Sequence, residues 1–391
     1  MMLVLRRWGV PNNGTVMLVG ALAICFVATV FNAHHVHQRP VSDDVYRYMW
    51  DGHVTVSGIN PYAYTPNAKE LQSLAVQASE RVNLPATVKY PHLPTIYPPG
   101  AQLVFALVTI VGGTTLNGWL LAWHGLIGVL GLLVLRSVRP RHRLLAMAML
   151  LNPLVVIHGF REPHVDLVMA LLTVLCLTLL ERGSTMSSGI TLGIAVATKY
   201  LSAMVGPVLL VARDARVRRL LLVALVTVAA AYVPFVGHDV LGSLGTFATK
   251  FQANSLAATI MLSFGAEPRV MHATLLVSMG LGAGYALWRW RLVPAYAVST
   301  ATMVMMCLSP AAHPWYMALP VLLFVLAPTR SVIVATLSTP LYLVGWHRYT
   351  NGGAWDEGAA VLLAEWLPIV ACVVADVVRP PRWTTSEPPS A

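Results

Sequence analysis

Between residues 16 and 378 the chain is a succession of apolar runs, each roughly 15 to 20 residues long and closed by arginines or a proline turn. Coiled into an α-helix at about 1.5 Å per residue, such a run covers most of the roughly 30 Å of hydrocarbon in a bilayer. Backbone groups in lipid have no water to bond, so the runs must be helices or strands of a closed barrel. The lack of period-two polarity excludes the barrel. Composition agrees, because 57% of residues are hydrophobic and 11% charged, whereas soluble domains carry about 25% charged. The sequence therefore predicts an all-α, polytopic integral membrane protein of about 11 to 13 transmembrane helices with a long first external loop.

The formal charge of +10 sits at the ends of the runs, a placement that speaks for membrane topology and against nucleic acid. Arg6 and Arg7 precede residues 16–31, which read as a retained first helix entering from the cytoplasm, since no convincing cleavage site follows. Arg136, Arg139, Arg141 and Arg143 form the next basic cluster, so an odd number of crossings must separate them from Asp43. Residues 116–135 are assigned as that crossing, and residues 101–111 become a short helix in the outer interface, after Tyr97-Pro98-Pro99-Gly100. Residues 144–157 then run outward and 167–180 return. The cluster Arg213, Arg216, Arg218 and Arg219 must again be cytoplasmic, so residues 190–211 have to form a hairpin of two half-helices, bent near Lys199 and Tyr200. Crossings at 220–236, 270–287, 293–308, 315–327, 332–346 and 359–378 complete the path. The expectation is one transmembrane domain over residues 1–379, with 34–115 as its external loop and interfacial helix, and a disordered cytoplasmic tail over 380–391.

Cys25, Cys176, Cys307 and Cys372 all fall within apolar runs, so neither a disulfide framework nor a cysteine zinc site is indicated. No phosphate loop, dinucleotide fingerprint or HExxH motif occurs. No cofactor and no metal is expected.

On this topology the ionisable residues of the outer face gather in a few loops beside span ends. The first carries Ser42-Asp43-Asp44-Val45-Tyr46-Arg47-Tyr48-Met49-Trp50-Asp51-Gly52, and a lid rich in Pro and Tyr follows it as far as Tyr97. The second is Arg161-Glu162-Pro163-His164-Val165-Asp166, a third holds Lys250, and a fourth runs from Ser309 through His313, Trp315 and Tyr316. Acids at a membrane edge lose solvation, and mixed with aromatic residues they suit a pocket for an amphipathic substrate. Asp43 and Asp44 cannot point the same way on a regular element, so one is free for chemistry while the other orients a neighbour. Desolvation is expected to raise the pKa of the reactive one, as suits a general base for an alcohol. Asp51 and Asp44 are each open to a second role, an ion pair with Arg47. His164 and Asp166 offer too few fixed ligands for a dedicated metal site.

The motif Ser42-Asp43-Asp44 with Tyr46-Arg47-Tyr48-Met49-Trp50-Asp51-Gly52, followed by Gly58-Ile59-Asn60-Pro61-Tyr62 and Tyr97-Pro98-Pro99, resembles the polyprenol-phosphate-sugar-dependent glycosyltransferases of the GT-C superfamily. Within it the chain is most similar to mycobacterial-type lipoglycan mannosyltransferases. His313-Pro314-Trp315-Tyr316 adds to the likeness, while Glu162-Pro163-His164-Val165-Asp166 departs from the Gly-His-Asn-Asp-like turn usual there. The resemblance implies a cell-membrane enzyme with its active site on the external face. It would move a sugar, mannose first, from a polyprenyl phosphate to a hydroxyl of a lipid or glycan acceptor, with inversion. It implies Asp43 as first choice for the catalytic base and Asp44 as second. Arg47, Tyr48, Trp50, Asp51, Tyr97, Arg161, His164, Asp166, Lys250, His313, Trp315, Tyr316 and Arg348 are the candidates for binding substrate, and Arg161, Lys250, His313 and Arg348 those for neutralising the leaving phosphate. A transporter or lipid flippase is the rival reading, and it expects charges near the midplane; Lys199 and Glu365 are the chief ionisable residues inside the runs. A non-catalytic subunit of an envelope-assembly machine is the second rival.

Overall fold

The computed structural model describes residues 42–76, 84–211, 214–350 and 356–381, and every named element within them is helical. Four helices, Leu116–Ser137, Ala215–Phe235, Pro268–Arg289 and Ala359–Val378, are long and apolar enough to cross a bilayer, and Pro140–Leu150 with Pro153–Arg161 makes a fifth, bent by 54°. Shorter apolar helices, among them Pro99–Gly112, Thr185–Thr198 and Pro294–Leu308, pack between them. The chain is an all-α polytopic membrane protein. The expected first crossing at residues 16–31, together with Arg6, Arg7, Arg213 and residues 382–391 of the tail, lies outside the described residues.

Fewer unbroken crossings stand among the described residues than the apolar runs promised, because polar and proline residues divide several of them. The run 144–157 breaks where Asn152 caps a new helix, its side chain accepting from Leu154 N at 3.0 Å ahead of Pro153. A π-helical turn, Val156–Arg161, then carries the chain on, so Gly159 and Arg161 are helical rather than in an external loop. Residues 315–327 form only a short Pro314–Leu323 helix, and 332–346 are interrupted by the 3-10 turn Thr339–Tyr342 around Pro340.

The Asp166–Glu181 helix is the central pillar, with every residue from Asp166 to Thr178 buried. Polar pairs along it fix the heights of its neighbours. Thr178 meets Ser137 at 2.7 Å, Cys176 meets Ser188 at 3.3 Å, Thr173 meets Ser202 at 2.6 Å, and Asp166 meets Lys199 at 2.5 Å.

The half-helix break falls at Lys199, whose extended backbone (φ −157°, ψ 130°) ends the Thr185–Thr198 helix. Gly189 abuts Leu220 and Val223, and Gly193 abuts Ala224 and Thr227, so Thr185–Thr198 and Ala215–Tyr232 run parallel. Two helices consecutive in one bundle can be parallel only if the chain returns between them. It does so through Val205–Leu210, where Gly206 is back beside Leu221. At the turning point the Tyr200 hydroxyl lies 3.1 Å from that of Tyr232.

One end of the bundle collects arginines. Arg182 donates to the carbonyls of Arg136 and Val138, and Arg139 pairs with Glu181 at 3.4 Å. A cavity lined by Arg139, Arg141, His142, Glu181 and Leu326 joins them. A few residues beyond Leu326, Arg330 pairs with Asp376 at 3.1 Å and bonds the Arg379 carbonyl. Asp166 stands at the opposite end of the central helix, about 22 Å away at 1.5 Å per residue.

Above that end, helix Asp44–Val56 buries Val45, Tyr48, Met49, Trp50 and Val54 against Pro99–Gly112. The contact is close, since a Cβ on Gly52 would stand 2.6 Å from the Phe105 carbonyl oxygen. Pro99–Gly112 leaves Leu103, Leu107, Ile110 and Val111 exposed, an apolar stripe at i, i+4 and i+7 turned away from the bundle.

Candidate active site

Helix Asp44–Val56 begins where it does because its entry is tied to a distant turn. The Ser42 backbone N–H donates to Glu162 Oε2 at 3.1 Å, and the Asp44 N–H to Ser42 Oγ at 3.3 Å. Asp44 thus occupies the first helical turn, where the helix dipole favours a carboxylate. Its Oδ2 comes within 3.4 Å of His164 Nδ1, with the Asp44 side chain 37% exposed and that of His164 buried. Asp43 is the N-cap residue and is exposed.

His164 lies parallel to Trp315, ring centroids 3.9 Å apart, and His313 lies parallel to the same indole at 4.2 Å. Two imidazoles that close to one centroid must occupy opposite faces. Trp315 is therefore the middle of a three-ring stack and offers neither face to a sugar. His158, on the π-helical turn, approaches from the side, its centroid 6.1 Å from Trp315.

Lys199 supplies a cation to this end of the bundle. Its ammonium bonds Asp166 Oδ1 at 2.5 Å and lies 4.3 Å from the centre of the Tyr316 ring. Asp166 is buried while Lys199 is 26% exposed, so two of the three ammonium protons remain available on an open flank. Arg161, beside Glu162 at 3.7 Å, is a second cation near the entry of the helix.

Burial works to raise the pKa of Asp44, but the close His164 ring, with His313 and Lys199, outweighs it and holds the carboxyl below the usual 3.8. The expected rise is thus reversed, because the cationic and imidazole neighbours lie closer than the sequence disclosed. Burial draws His313 down to about 3, opposed by Asp44 and reinforced by His164, Lys199 and Lys89. At neutral pH His313 is an uncharged donor and acceptor rather than a cation.

Of the residues the sequence singled out, Asp44, Arg161, His164, Asp166, His313, Trp315 and Tyr316 converge on this end of the bundle. Tyr97 joins their margin, its ring edge-on to Tyr48 at 5.0 Å. Tyr48 and Trp50 are 1% exposed, and Tyr48 stacks on Phe105 at 4.3 Å. Asp51 is saturated by Arg47 Nε at 2.8 Å, Thr95 Oγ1 at 2.6 Å and Gln102 Nε2 at 3.1 Å, and Arg47 also bonds the Leu93 carbonyl. Their placement is that of a scaffold under the helix. Lys250 is exposed at the end of helix Leu244–Lys250, and Arg348 bonds the Asp356 carbonyl at 3.1 Å; neither touches the cluster among the described residues. Lys199, by contrast, was read from the sequence as the bend of a hairpin and an ionisable residue inside an apolar run, not as a site residue. A lysine inside an apolar run was itself the signal that a buried acid waits for it.

No group of three or more His, Cys, Asp or Glu side chains that could hold a metal ion occurs among the described residues. The carboxylate at the mouth, the neutral His313 imidazole behind it and the flanking ammonium can accept a proton from a hydroxyl and carry a developing phosphate charge.

Among curated proteins none matches the chain. Residues 27–215 match the MptA_B family, described as alpha-(1->6)-mannopyranosyltransferase, N-terminal domain. That stretch holds Asp44, Arg161, His164, Asp166 and Lys199, all of the cluster except the His313 turn. Over these residues the chain is similar to the MptA_B family of mannopyranosyltransferases, and its long apolar helices make it a membrane protein.

Proposed function

We propose that the protein transfers mannose from a polyprenyl phosphate to a hydroxyl of a lipid or glycan acceptor on the external face of the cell membrane, inverting the anomeric carbon, with Asp44 as general base. The acceptor oxygen attacks the anomeric carbon while Asp44 takes the hydroxyl proton. The bond from that carbon to the phosphate oxygen breaks, and its electron pair leaves with the phosphate as a polyprenyl phosphate monoester. This leaving group needs charge compensation rather than a proton, a task suited to Lys199 and Arg161. An α-mannoside made by inversion requires a β-linked donor. His164 orients the carboxylate of Asp44, and neutral His313 is a hydrogen-bond donor for sugar or phosphate.

The observation that carries this reading is the partly exposed Asp44 carboxylate, paired with His164 at 3.4 Å at the same end of the bundle as the Lys199 ammonium. Asp44 replaces Asp43 as first choice because it is the one that faces the cluster. The test is purified protein with β-linked polyprenyl-phosphate mannose and an oligomannoside acceptor, following polyprenyl phosphate release and the product's anomeric configuration by NMR. An α-linked product with stoichiometric release supports the proposal. A β-linked product, or transfer from a nucleotide sugar alone, overturns it.

A further inference from the structure

Glu365 lies in the crossing helix Ala359–Val378 and is fully buried. Its Oε1 accepts from Asn254 Nδ2 at 3.0 Å, the same nitrogen donates to the Ala312 carbonyl at 3.2 Å, and Oε2 has no hydrogen-bond partner among the described residues. A buried carboxyl in an apolar helix is costly and adds nothing to packing that a methionine would not. Its place must be explained by what it holds.

Asn254 is itself buried, with a left-handed backbone (φ 48°) that turns its chain toward the Ser309–Ala312 segment. The two segments clasp each other: Ala253 N donates to the Pro310 carbonyl at 3.1 Å, Ala312 N to the Ala253 carbonyl at 2.9 Å, and Ser255 Oγ to the Ser309 carbonyl at 2.6 Å. These bonds join one loop to another. The Asn254 to Glu365 bond anchors this clasp to the crossing helix Ala359–Val378, while two residues upstream of Ala253 the Phe251 carbonyl lies 3.3 Å from His272 Nε2 of the crossing helix Pro268–Arg289. His313 follows Ala312 directly, and its ring covers one face of Trp315, whose other face carries the His164 that pairs with Asp44.

We infer that Glu365 is a positioning residue for transfer: through Asn254 it fixes the Ala312 carbonyl, and so sets the His313 and Trp315 rings that hold His164 against Asp44. The inference rests on the proposed function for its kinetic consequence, but its structural consequence is measurable without any donor.

The test compares Glu365→Gln, which keeps an acceptor oxygen, with Glu365→Met, which keeps length and removes it, alongside Asn254→Ala and the Asn254→Ala, Glu365→Met double variant. In Glu365→Met the turnover falls at least about tenfold while KM for polyprenyl-phosphate mannose stays within about twofold, and Glu365→Gln restores most of it. The double variant is no worse than Asn254→Ala alone, since Asn254→Ala already removes the bond to Glu365 together with the one to the Ala312 carbonyl. Independently of donor, carbethoxylation of His313, read by mass spectrometry, speeds up in Glu365→Met and not in Glu365→Gln. Unchanged turnover and unchanged His313 labelling in a folded Glu365→Met protein overturn the inference, as does a Glu365→Gln variant as impaired as Glu365→Met. Should Glu365→Met fail to fold, Asn254→Ala removes the same bond together with the one to the Ala312 carbonyl, and unchanged turnover and His313 labelling in that variant overturn the inference. A wild-type protein with no transfer defeats the proposed function instead, and the labelling result then decides the positioning role alone.

Discussion

Asp44 Oδ2 lies 3.4 Å from Nδ1 of His164, a contact that joins the first turn of one helix to a turn carried by the central pillar of the bundle. The pair exists because Ser42 is tied to Glu162, so the helix can start only with its first carboxylate over the His164 ring. Its most immediate effect is on the protonation of the carboxylate.

Asp44 is held below its usual pKa, so it stays ionised as pH falls through the ordinary carboxylate range and is lost as a base only below about 3.8. Removing the partners that lower it leaves burial, which acts in the opposite sense. The His164→Gln variant should therefore show the acidic limb of kcat/KM moved to higher pH, and the His164→Gln, Lys199→Gln double variant moved further, above the ordinary carboxylate value. A pH profile of each, with wild type beside it, checks the direction.

Lys199 and Asp166 make the second prediction. Lys199→Met leaves a buried carboxylate without its cation, at a cost of about 2 kcal/mol; the 3–5 kcal/mol typical of a broken buried pair is reduced because the lysine is 26% exposed. Asp166→Asn on top of Lys199→Met should restore part of that stability but none of the lost transfer. Thermal melts and turnover, measured together, separate the two effects.

Close packing under the site gives a third. A Cβ on Gly100 would stand 2.5 Å from the Ala197 carbonyl carbon and 2.7 Å from its oxygen, both backbone atoms of the half-helix that ends at Lys199. Gly100→Ala must push the two helices apart, costing about 1 to 3 kcal/mol. Gly113→Ala, at a turn with open space around it but φ 71°, incurs a backbone penalty instead and leaves that packing intact. Loss of transfer beyond loss of folded protein is expected only for Gly100→Ala.

Much of the path was legible in the sequence because it is set by one-dimensional rules. Arginine clusters at run ends demanded that residues 190–211 turn back, and the chain does break at Lys199, returning past Leu221. Helices Pro268–Arg289 and Ala359–Val378 enclose or coincide with their apolar runs for the same reason. The site was legible as a set of loops but not as a set of directions. Which of Asp43 and Asp44 faces inward depends on a hydrogen bond from Ser42 to the remote Glu162. Asp51 was open to an ion pair with Arg47 at i, i+4, and the structure adds Thr95 and Gln102 to that carboxylate, contacts no spacing announces. Trp315 was a candidate for binding substrate, and only three-dimensional packing shows both faces of its ring taken.

The central claim is that Asp44, rather than its neighbour, accepts the proton, and the most direct test is single-turnover transfer from polyprenyl-phosphate mannose by Asp44→Asn and Asp43→Asn proteins of matched melting temperature. Losing a positioned general base costs about 100- to 10,000-fold, so Asp44→Asn should fall by at least the lower figure while Asp43→Asn keeps the greater part of the wild-type rate. An Asp44→Asn protein that transfers at the wild-type rate, or an Asp43→Asn protein that is the inactive one, contradicts the account.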